Sequence, residues 1–281
     1  MAGRPVKTPA EREIEYARAF PIDWARRLTR DAWGWPDLEV WQMKVLASNS
    51  KRLMLNCSRQ IGKSSILAVK AFWKALTEQD ALILIVAEQR QSNEDMRKVK
   101  QLAQTFDKYL KEKYDNRVRL LPISDNITSI EFGHGSRVVA LPANEKVRGF
   151  SAPAMVIIDE AGYVPDEVFV AIDPMMTVSQ GQMILASTPH GTSGFFYTEH
   201  KNPMYEKIEV PWNQSPRIQA GEIELKRQIY GDAYIKQEYE ISFLDDVAAL
   251  FTERSLRDSV DETEDVFSDQ VTKFEEAFLL A

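Results

Sequence analysis

The 281-residue sequence contains a single cysteine, Cys57. One thiol excludes an internal disulfide framework and any Cys-rich zinc site. No apolar run approaches the roughly 18–20 residues needed to cross a bilayer, and the opening MAGRPVKTPAEREIEYARAF lacks the apolar stretch of a secretory signal. Both absences point to a cytosolic setting with no membrane partner. Internal repeats and low-complexity segments are missing too. The chain also lacks the basic excess of many nucleic-acid-binding proteins, since its formal net charge is −7. That sum hides an asymmetry. Residues 241–281 hold eleven acidic and three basic residues, leaving 32 basic against 31 acidic in the first 240. Net charge therefore neither supports nor excludes DNA as a partner.

What is present is ordinary for a soluble globular protein, with 44% apolar and 27% charged residues. The length suits one large α/β domain, or a core domain with a small appendage. Residues 9–30 read as amphipathic helix, with Pro21 marking a break or a new helix start. Trp33, Trp35 and Trp41 read as a packing patch. From Lys51 onward strands and helices alternate. RLMLNC (52–57) and ALILIVA (81–87) have the continuous apolar character of buried parallel strands, and KSSILAVKAFWKAL (63–76) between them has helical spacing. A second helix is expected over about 90–113. Three short strands follow in RVRLLP, ITSIEF and SRVVALP (117–142), with a turn at Gly133-His134-Gly135. MVIID (155–159), QMILAST (182–188) and YEKIEVP (205–211) read as further strands, and helix returns over about 219–240. The alternation predicts a mostly parallel sheet with a nucleotide site at the C-terminal ends of its strands.

Four stretches carry chemistry. Gly62-Lys63-Ser64 follows a predicted strand and opens a predicted helix, which is the setting a phosphate-binding loop requires. Backbone N–H groups there can cradle phosphates at the helix N-terminus, with Lys63 reaching the β/γ-phosphates and Ser64 ligating Mg2+. Cys57 stands where the usual pattern has its first glycine, and a small residue suffices there if φ stays negative. MVIIDEAG (155–162) is an apolar strand ending in two carboxylates. Asp159 would hold Mg2+ directly or through water, and Glu160 would orient or deprotonate the attacking water. Alone, that stretch reads equally as a buried strand ending in surface acids; with the phosphate loop upstream it reads as an NTPase. ILASTPHGTSGFFY (184–197) ends a strand in Ser187-Thr188, either sensors of the γ-phosphate or an ordinary polar strand end before a turn. VRGFSAP (147–153) carries Arg148, either a surface charge or an arginine finger.

The combination resembles the ATPase domain of viral, tailed-bacteriophage terminase large subunits, the motors that pump DNA into capsids. Ser58-Arg59-Gln60-Ile61-Gly62-Lys63-Ser64 is similar to that family's arginine-containing Walker A, which often lacks the first glycine. Val156 through Ala161 resembles its Walker B with a catalytic Glu, and Ser187-Thr188-Pro189 falls where the family has its coupling motif. Gln42, in VWQMKVL, resembles the upstream adenine-contacting glutamine. Arg148 lies where some members place the arginine offered to a neighbouring subunit. The resemblance covers about residues 35–245.

It implies a P-loop NTPase fold of the ASCE/RecA-like type, with a mostly parallel sheet flanked by helices and a small C-terminal lid-like subdomain. The implied cofactors are ATP and Mg2+. The implied nucleotide-binding set is Gln42, Ser58, Arg59, Gln60, Ile61, Gly62, Lys63, Ser64 and Ser65, with Ser64 and Asp159 at the metal. Lys63, Arg59, Glu160 and Arg148 would carry catalysis. The implied partners are double-stranded DNA gripped without sequence reading, the portal protein, the small terminase subunit and further copies of the chain in a ring, a pentamer in the family. The implied place of action is the procapsid portal in the host cytoplasm rather than the mature virion. The expected layout is an N-terminal helical extension (1–34), an ATPase core (35–210), a lid or linker subdomain (211–245) and an acidic linker (246–281) toward a nuclease domain. The chain stops too soon to hold that domain, so it reads as an isolated ATPase domain and nuclease activity is not carried over. Arg97, Lys98 and Lys100 are candidates for touching DNA, against the alternative of a solvated helix face.

Two other readings stay open on sequence alone. A DEAD/DEAH-like helicase would share Asp159-Glu160-Ala161 and the Ser-Thr strand end, but needs a second motor domain that no segment after residue 200 supplies. A nucleotide-gated assembly scaffold would bind ATP without hydrolysing it, and the presence of Glu160 weighs against that.

Overall fold

The computed structural model describes residues 7–118, 120 and 122–244. The acidic stretch 246–281 lies outside them. One eight-stranded sheet organises the chain. Its strands are β1 (Arg52–Cys57), β2 (Leu82–Ala87), β3 (Pro122–Asn126), β4 (Ser129–Phe132), β5 (Arg137–Pro142), β6 (Met155–Asp159), β7 (Gln182–Ser187) and β8 (Glu206–Val210). Their order across the sheet is β3-β4-β5-β2-β6-β7-β1-β8. Pairing is parallel from β5 to β8, and antiparallel only at the β3-β4-β5 edge. The helices are α1 (Pro9–Ala19), α2 (Pro21–Trp33), α3 (Val40–Ala47), α4 (Lys63–Thr77), α5 (Gln89–Lys113), α6 (Asp166–Ser179), α7 (Gly194–Lys201) and α8 (Ala220–Glu238).

The two-residue period of a strand sorts the core into two layers. Leu53 and Leu55 of β1, Ile83 and Ile85 of β2, Met155 and Ile157 of β6, and Ile184 and Ala186 of β7 share one apolar cluster with α1 to α5. The alternate residues Met54, Leu84, Val86, Val156, Ile158, Met183 and Leu185 join a second cluster with α6 and α7. Because both faces are covered, these strands read as unbroken apolar runs rather than as alternations. The N-terminal helices are built into the first layer. Trp24 is fully buried, with its ring 5.8 Å from Phe72 and 6.0 Å from Phe106. Pro21 does start a new helix, at its N1 position, where a missing N–H costs nothing. A third, small cluster of Ile223, Ile235 and Tyr239 packs with Trp212, Ile218 and Tyr234 around α8, which bends at Gly231 (φ 82, ψ 169).

Most expected elements stand within a residue or two of the pattern. The exception is 117–122. Strand β3 begins only at Pro122, because Val118 and Leu120 pack against the core as irregular chain and Asp107 accepts the Leu120 N–H at 2.7 Å. Ile127 and Thr128 fall in the β3–β4 turn, where the Asn126 side chain accepts the Thr128 N–H at 3.1 Å. Helices α3, α6 and α7 had no counterpart in the sequence reading. α6 even carries Pro174 in its interior.

Helix α3 is fixed by an unusual device. Lys70 of α4 is 1% exposed, and its ammonium donates to the carbonyls of Leu46 (3.0 Å) and Ser48 (2.7 Å), satisfying the C-terminal end of α3. Burial, helped by Lys74, pushes its pKa down to about 8. An unfolded lysine holds its proton to higher pH than the folded one, so this group adds stability as pH rises from about 8 to about 10.5. Replacing Lys70 by Met should abolish that gain. The difference in urea-unfolding free energy between wild type and Lys70→Met should then shift by about 1.4 kcal/mol per pH unit across the window, in favour of wild type at the alkaline end.

Candidate functional site

Parallel pairing brings the C-terminal tips of the central strands level. Asn56 of β1 is opposite Ser187 of β7, and Asp159 of β6 is opposite Ala186. β7 thus lies between the strand that opens the phosphate loop and the strand that ends in carboxylates. A cavity of about 430 Å³ occupies this edge, lined by Ser58, Arg59, Gln60, Gly62, Lys63, Ser64, Ser65, Lys98, Glu160 and Thr188. The loop's charged and hydroxyl candidates are therefore all here, as is the second carboxylate.

The loop's backbone explains its composition. Cys57 keeps a negative φ, so no glycine is required there, whereas Gln60 (φ 61) and Gly62 (φ 89) take left-handed conformations. Alternation of this kind turns successive N–H groups inward, the geometry of an anion nest. At Gly62 an added Cβ would also stand 3.0 Å from the Arg217 guanidinium. Cys57 itself is inert: complete burial raises its thiol pKa to about 12. Ile61 is fully buried and anchors the loop to the core rather than facing the cavity.

Lys63 opens α4 and reaches across to β6. Its ammonium lies 3.0 Å from Glu160 Oε2 and 3.5 Å from Asp159 Oδ1. Burial works against the charge, but Asp159 and Glu160 outweigh it and hold the lysine pKa above its usual value. Asp159 is 1% exposed, and its Oδ1 also accepts the Glu160 backbone N–H at 3.0 Å. Glu160 sits in the left-handed region (φ 53, ψ 40), a strained backbone for a non-glycine residue. Its side chain is 37% exposed and open to the cavity. Gly162 lets the chain after Glu160 pass close to β7. A Cβ there would stand 3.1 Å from both Ser187 Oγ and the Thr188 carbonyl. The Tyr163 ring then packs against His190 in a tilted contact with centroids 4.3 Å apart. Ser187 and Thr188 are buried, and neither hydroxyl has a hydrogen-bond partner among the described residues.

A hard divalent cation would find oxygen donors here. Ser64 Oγ and Asp159 Oδ2 converge on one point, marked by the Gln91 amide nitrogen at 3.2 and 3.3 Å. Among the described residues no group of three or more His, Cys, Asp or Glu could cage a metal. The donor set therefore suits Mg2+, which keeps waters and phosphate oxygens in its shell and takes few protein ligands.

Three expected positions differ from a simple cavity lining. Arg59 lines the cavity, yet its Nε is 2.5 Å from Glu238 Oε2 at the end of α8, and its backbone N–H donates to the Glu238 carbonyl at 3.0 Å. Gln42 is fully buried in α3 beside the loop, 3.7 Å from where a Gly62 Cβ would stand, with its Oε1 capping Glu39 N–H and its Nε2 unpartnered among the described residues. Glu39, whose N–H it caps, lines a second cavity of about 660 Å³ together with Trp35, Leu38, Val40 and Arg217 among others. Arg217 is clamped there by Glu39 (2.7 Å) and lies over the Trp35 ring at 4.5 Å. Arg148 is exposed on a 3-10 turn (Glu145–Gly149), is not among the cavity-lining residues and forms no ion pair among the described residues.

Sequence reasoning missed Gln91, Asp95, Lys98 as a cavity residue, Glu238 and Arg217. Asp95 is 3% exposed; burial, and then Asp159, push its carboxyl up to about 8. Lys98, expected on a solvated or DNA-facing surface, pairs with Asp95 at 3.3 Å and lines the phosphate cavity instead. Arg97 pairs with Glu94, and Lys100 with Asp125. The available signal was the i, i+4 spacing of Gln91 and Asp95 directly after the apolar run of β2.

Comparison with known proteins fits this geometry. The large terminase ATPase domain of Thermus phage P74-26 superposes with a TM-score of 0.59 at 22% identity, covering 76% of this chain and 97% of that one. The large terminase of a thermophilic bacteriophage, solved in complex with ADP, gives a TM-score of 0.56 at 12% identity over 74% of this chain and 54% of that one. These likenesses establish the fold as that of terminase ATPase domains. The terminase large subunit of Thermus virus P23-45 is 27% identical over 171 residues, 55% of this chain, so the chain aligns with only 34% of that relative's length. The family model for the terminase large subunit, T4likevirus-type, N-terminal region matches residues 54–258, well over half of the sequence. The chain belongs to the terminase large-subunit family.

Proposed function

We propose that this chain hydrolyses ATP and is the motor part of a terminase large subunit, driving double-stranded DNA into a procapsid. The observation that carries the reading is the convergence of Lys63, Ser64 and Glu160 on one cavity at the tips of β1 and β6, with the buried Asp159 directly against Lys63. Family membership and the ADP complex of the thermophilic phage terminase support it.

In this reading the triphosphate enters the loop's N–H nest and draws Lys63 off its two carboxylates. That exchange leaves Glu160 free to accept a proton from the attacking water. Ser64 and Asp159 would hold Mg2+, which would supply positive charge to the phosphates. Arg59 adds charge to the same phosphates once it leaves Glu238, and Ser58, Gln60, Ile61 and Ser65 shape the loop around them. Gln42, with its unpartnered amide nitrogen, faces the base, and the second cavity beside Arg217 gives the base room. The buried hydroxyls of Ser187 and Thr188 stand between the two catalytic strands, where they can report loss of the γ-phosphate. Residues 211–245 act as a lid, the 35–210 segment as the catalytic core, and 1–34 as an N-terminal extension whose described helices pack on it. The exposed Arg148 serves the site of a neighbouring copy in a ring, which we read as a pentamer. The ring's partners are DNA bound through its backbone, the portal and the small terminase subunit, at the procapsid in the host cytoplasm. DNA grip of this kind is sequence-independent and salt-sensitive.

Two outcomes test this reading. Glu160→Gln should lower ATP turnover by about 10²–10⁴-fold while equilibrium binding of a fluorescent ATP analogue stays near that of wild type. Equal loss of binding and turnover would deny Glu160 its role as base. Arg148→Ala should bind nucleotide normally yet turn over slowly, and mixing it with Glu160→Gln should restore activity above either variant alone. Turnover per subunit that is independent of protein concentration, with no gain on mixing, would place the arginine in cis or outside the reaction.

A further inference from the structure

Gln91 stands in the first turn of α5, just past the tip of β2, and β2 is the neighbour of β6. Its amide nitrogen is 3.2 Å from Ser64 Oγ, 3.3 Å from Asp159 Oδ2 and 2.8 Å from Asp95 Oδ1. An amide nitrogen has two hydrogens for these three acceptors. The shortest contact is to Asp95, four residues along the same helix, and Lys98 one turn further holds that carboxylate at 3.3 Å. Asp95 is thus the fixed anchor, while Ser64 and Asp159 share the amide's outer reach.

We propose that Gln91 is a positioning residue that takes the cation's place between Ser64 and Asp159 when no ion is bound and must swing out, pivoting on Asp95, when the ion binds. The argument is one of exclusion. Mg2+ binds oxygens at about 2.0–2.1 Å and tolerates no donor hydrogen between itself and a ligand. An amide whose remaining hydrogen lies between both oxygens, with its nitrogen 3.2 and 3.3 Å from them, fills that point, and its partial positive charge does part of the ion's work for Asp159. The ion-free site is thereby kept assembled with two carboxylates, Asp159 and Asp95, close together in a buried place. Every binding of the ion then displaces one hydrogen-bonded amide, so nucleotide and metal are coupled more weakly than the bare donor set would allow. Gln91 touches neither reacting atoms nor phosphate in this role.

The inference rests on the ATPase reading, and the experiment separates the two. Fluorescent ADP is titrated into the full chain in EDTA and at graded Mg2+ concentrations, and the ratio of the two dissociation constants gives the metal–nucleotide coupling. For Gln91→Ala the dissociation constant in EDTA should stay within about twofold of wild type, and the coupling should rise about three- to tenfold, since the competing hydrogen bonds to charged and polar oxygens are gone. Gln91→Lys should do the opposite. Its ammonium tethers a cation at the same point, so Mg2+ should no longer tighten ADP binding, and the melting temperature in EDTA should rise toward that of the Mg2+-loaded wild type. Gln91 is only half-buried, so both variants should keep the fold. Coupling that is unchanged or weaker in Gln91→Ala, or a wild-type Mg2+ response in Gln91→Lys, overturns the proposal. Wild-type protein that binds no ADP at any Mg2+ concentration overturns the ATPase reading itself, and the proposal with it.

Discussion

The site depends on charge compensation at a buried strand edge. Asp159 is 1% exposed and Asp95 3%, with Glu160 beside them and Lys63 and Lys98 as the cations within reach. Carboxylates out of water are costly unless paired or protonated. The protein meets that cost in three ways at once: Lys63 is pulled onto Asp159 and Glu160, the Asp95 carboxyl is pushed up to about 8, and Gln91 lends its amide to both aspartates. Each of these is a provisional arrangement of a site short of positive charge. A triphosphate alone would add to that shortage by bringing more anions, so the geometry favours the nucleotide arriving with its cation. Structure and chemistry agree here because the same electrostatic demand sets both.

How much of this was legible follows from where the information lies. The central strands announced themselves because burial on both faces leaves no polar residue to interrupt them, and β1, β6 and their loops kept the expected limits to the residue. The phosphate loop was legible despite its missing glycine, because the conformational demand falls on Gln60 and Gly62 and not on Cys57. Over 117–122 the apolar pattern misled because Val118 and Leu120 use it to pack against the core, and β3 is described only from Pro122. Helix α3 stayed hidden for a related reason. It is short and apolar on most sides, its N-terminal capping box is built on Glu39 and Gln42 rather than on a Ser, Thr, Asp or Asn, and its C-terminal end is satisfied from outside by Lys70.

Within the site, residues whose place is set by their own loop could be read, and residues whose place is set by sheet order could not. Lys63, Ser64, Asp159 and Glu160 each end or begin an element with a recognisable pattern. Gln91 and Asp95 matter only because β2 lies beside β6, a neighbour relation that no local pattern encodes. Lys98 read as a surface charge for the same reason: its helix face points at the cavity once α5 is laid against the strand tips. Glu238 is the extreme case, reaching Arg59 from the far end of the described chain.

That last contact has a consequence for how the parts act together. Glu238 accepts Arg59 through both its side chain and its backbone carbonyl, and Tyr163, three residues past Glu160, lies 3.5 Å from the same carboxylate. Tyr163 in turn packs against His190, just beyond Thr188. The end of α8 therefore touches the phosphate loop directly, and the carboxylate strand and the β7 tip through Tyr163. If Arg59 turns toward phosphate, the buried Glu238 carboxylate loses the ion-pair partner of its Oε2. Under the proposed function, an Arg59 that serves the nucleotide gives up its side-chain hold on the end of α8 and keeps only the backbone bond to the Glu238 carbonyl. One ion pair and one backbone hydrogen bond thus join the loop to the end of that helix without a longer chain of contacts.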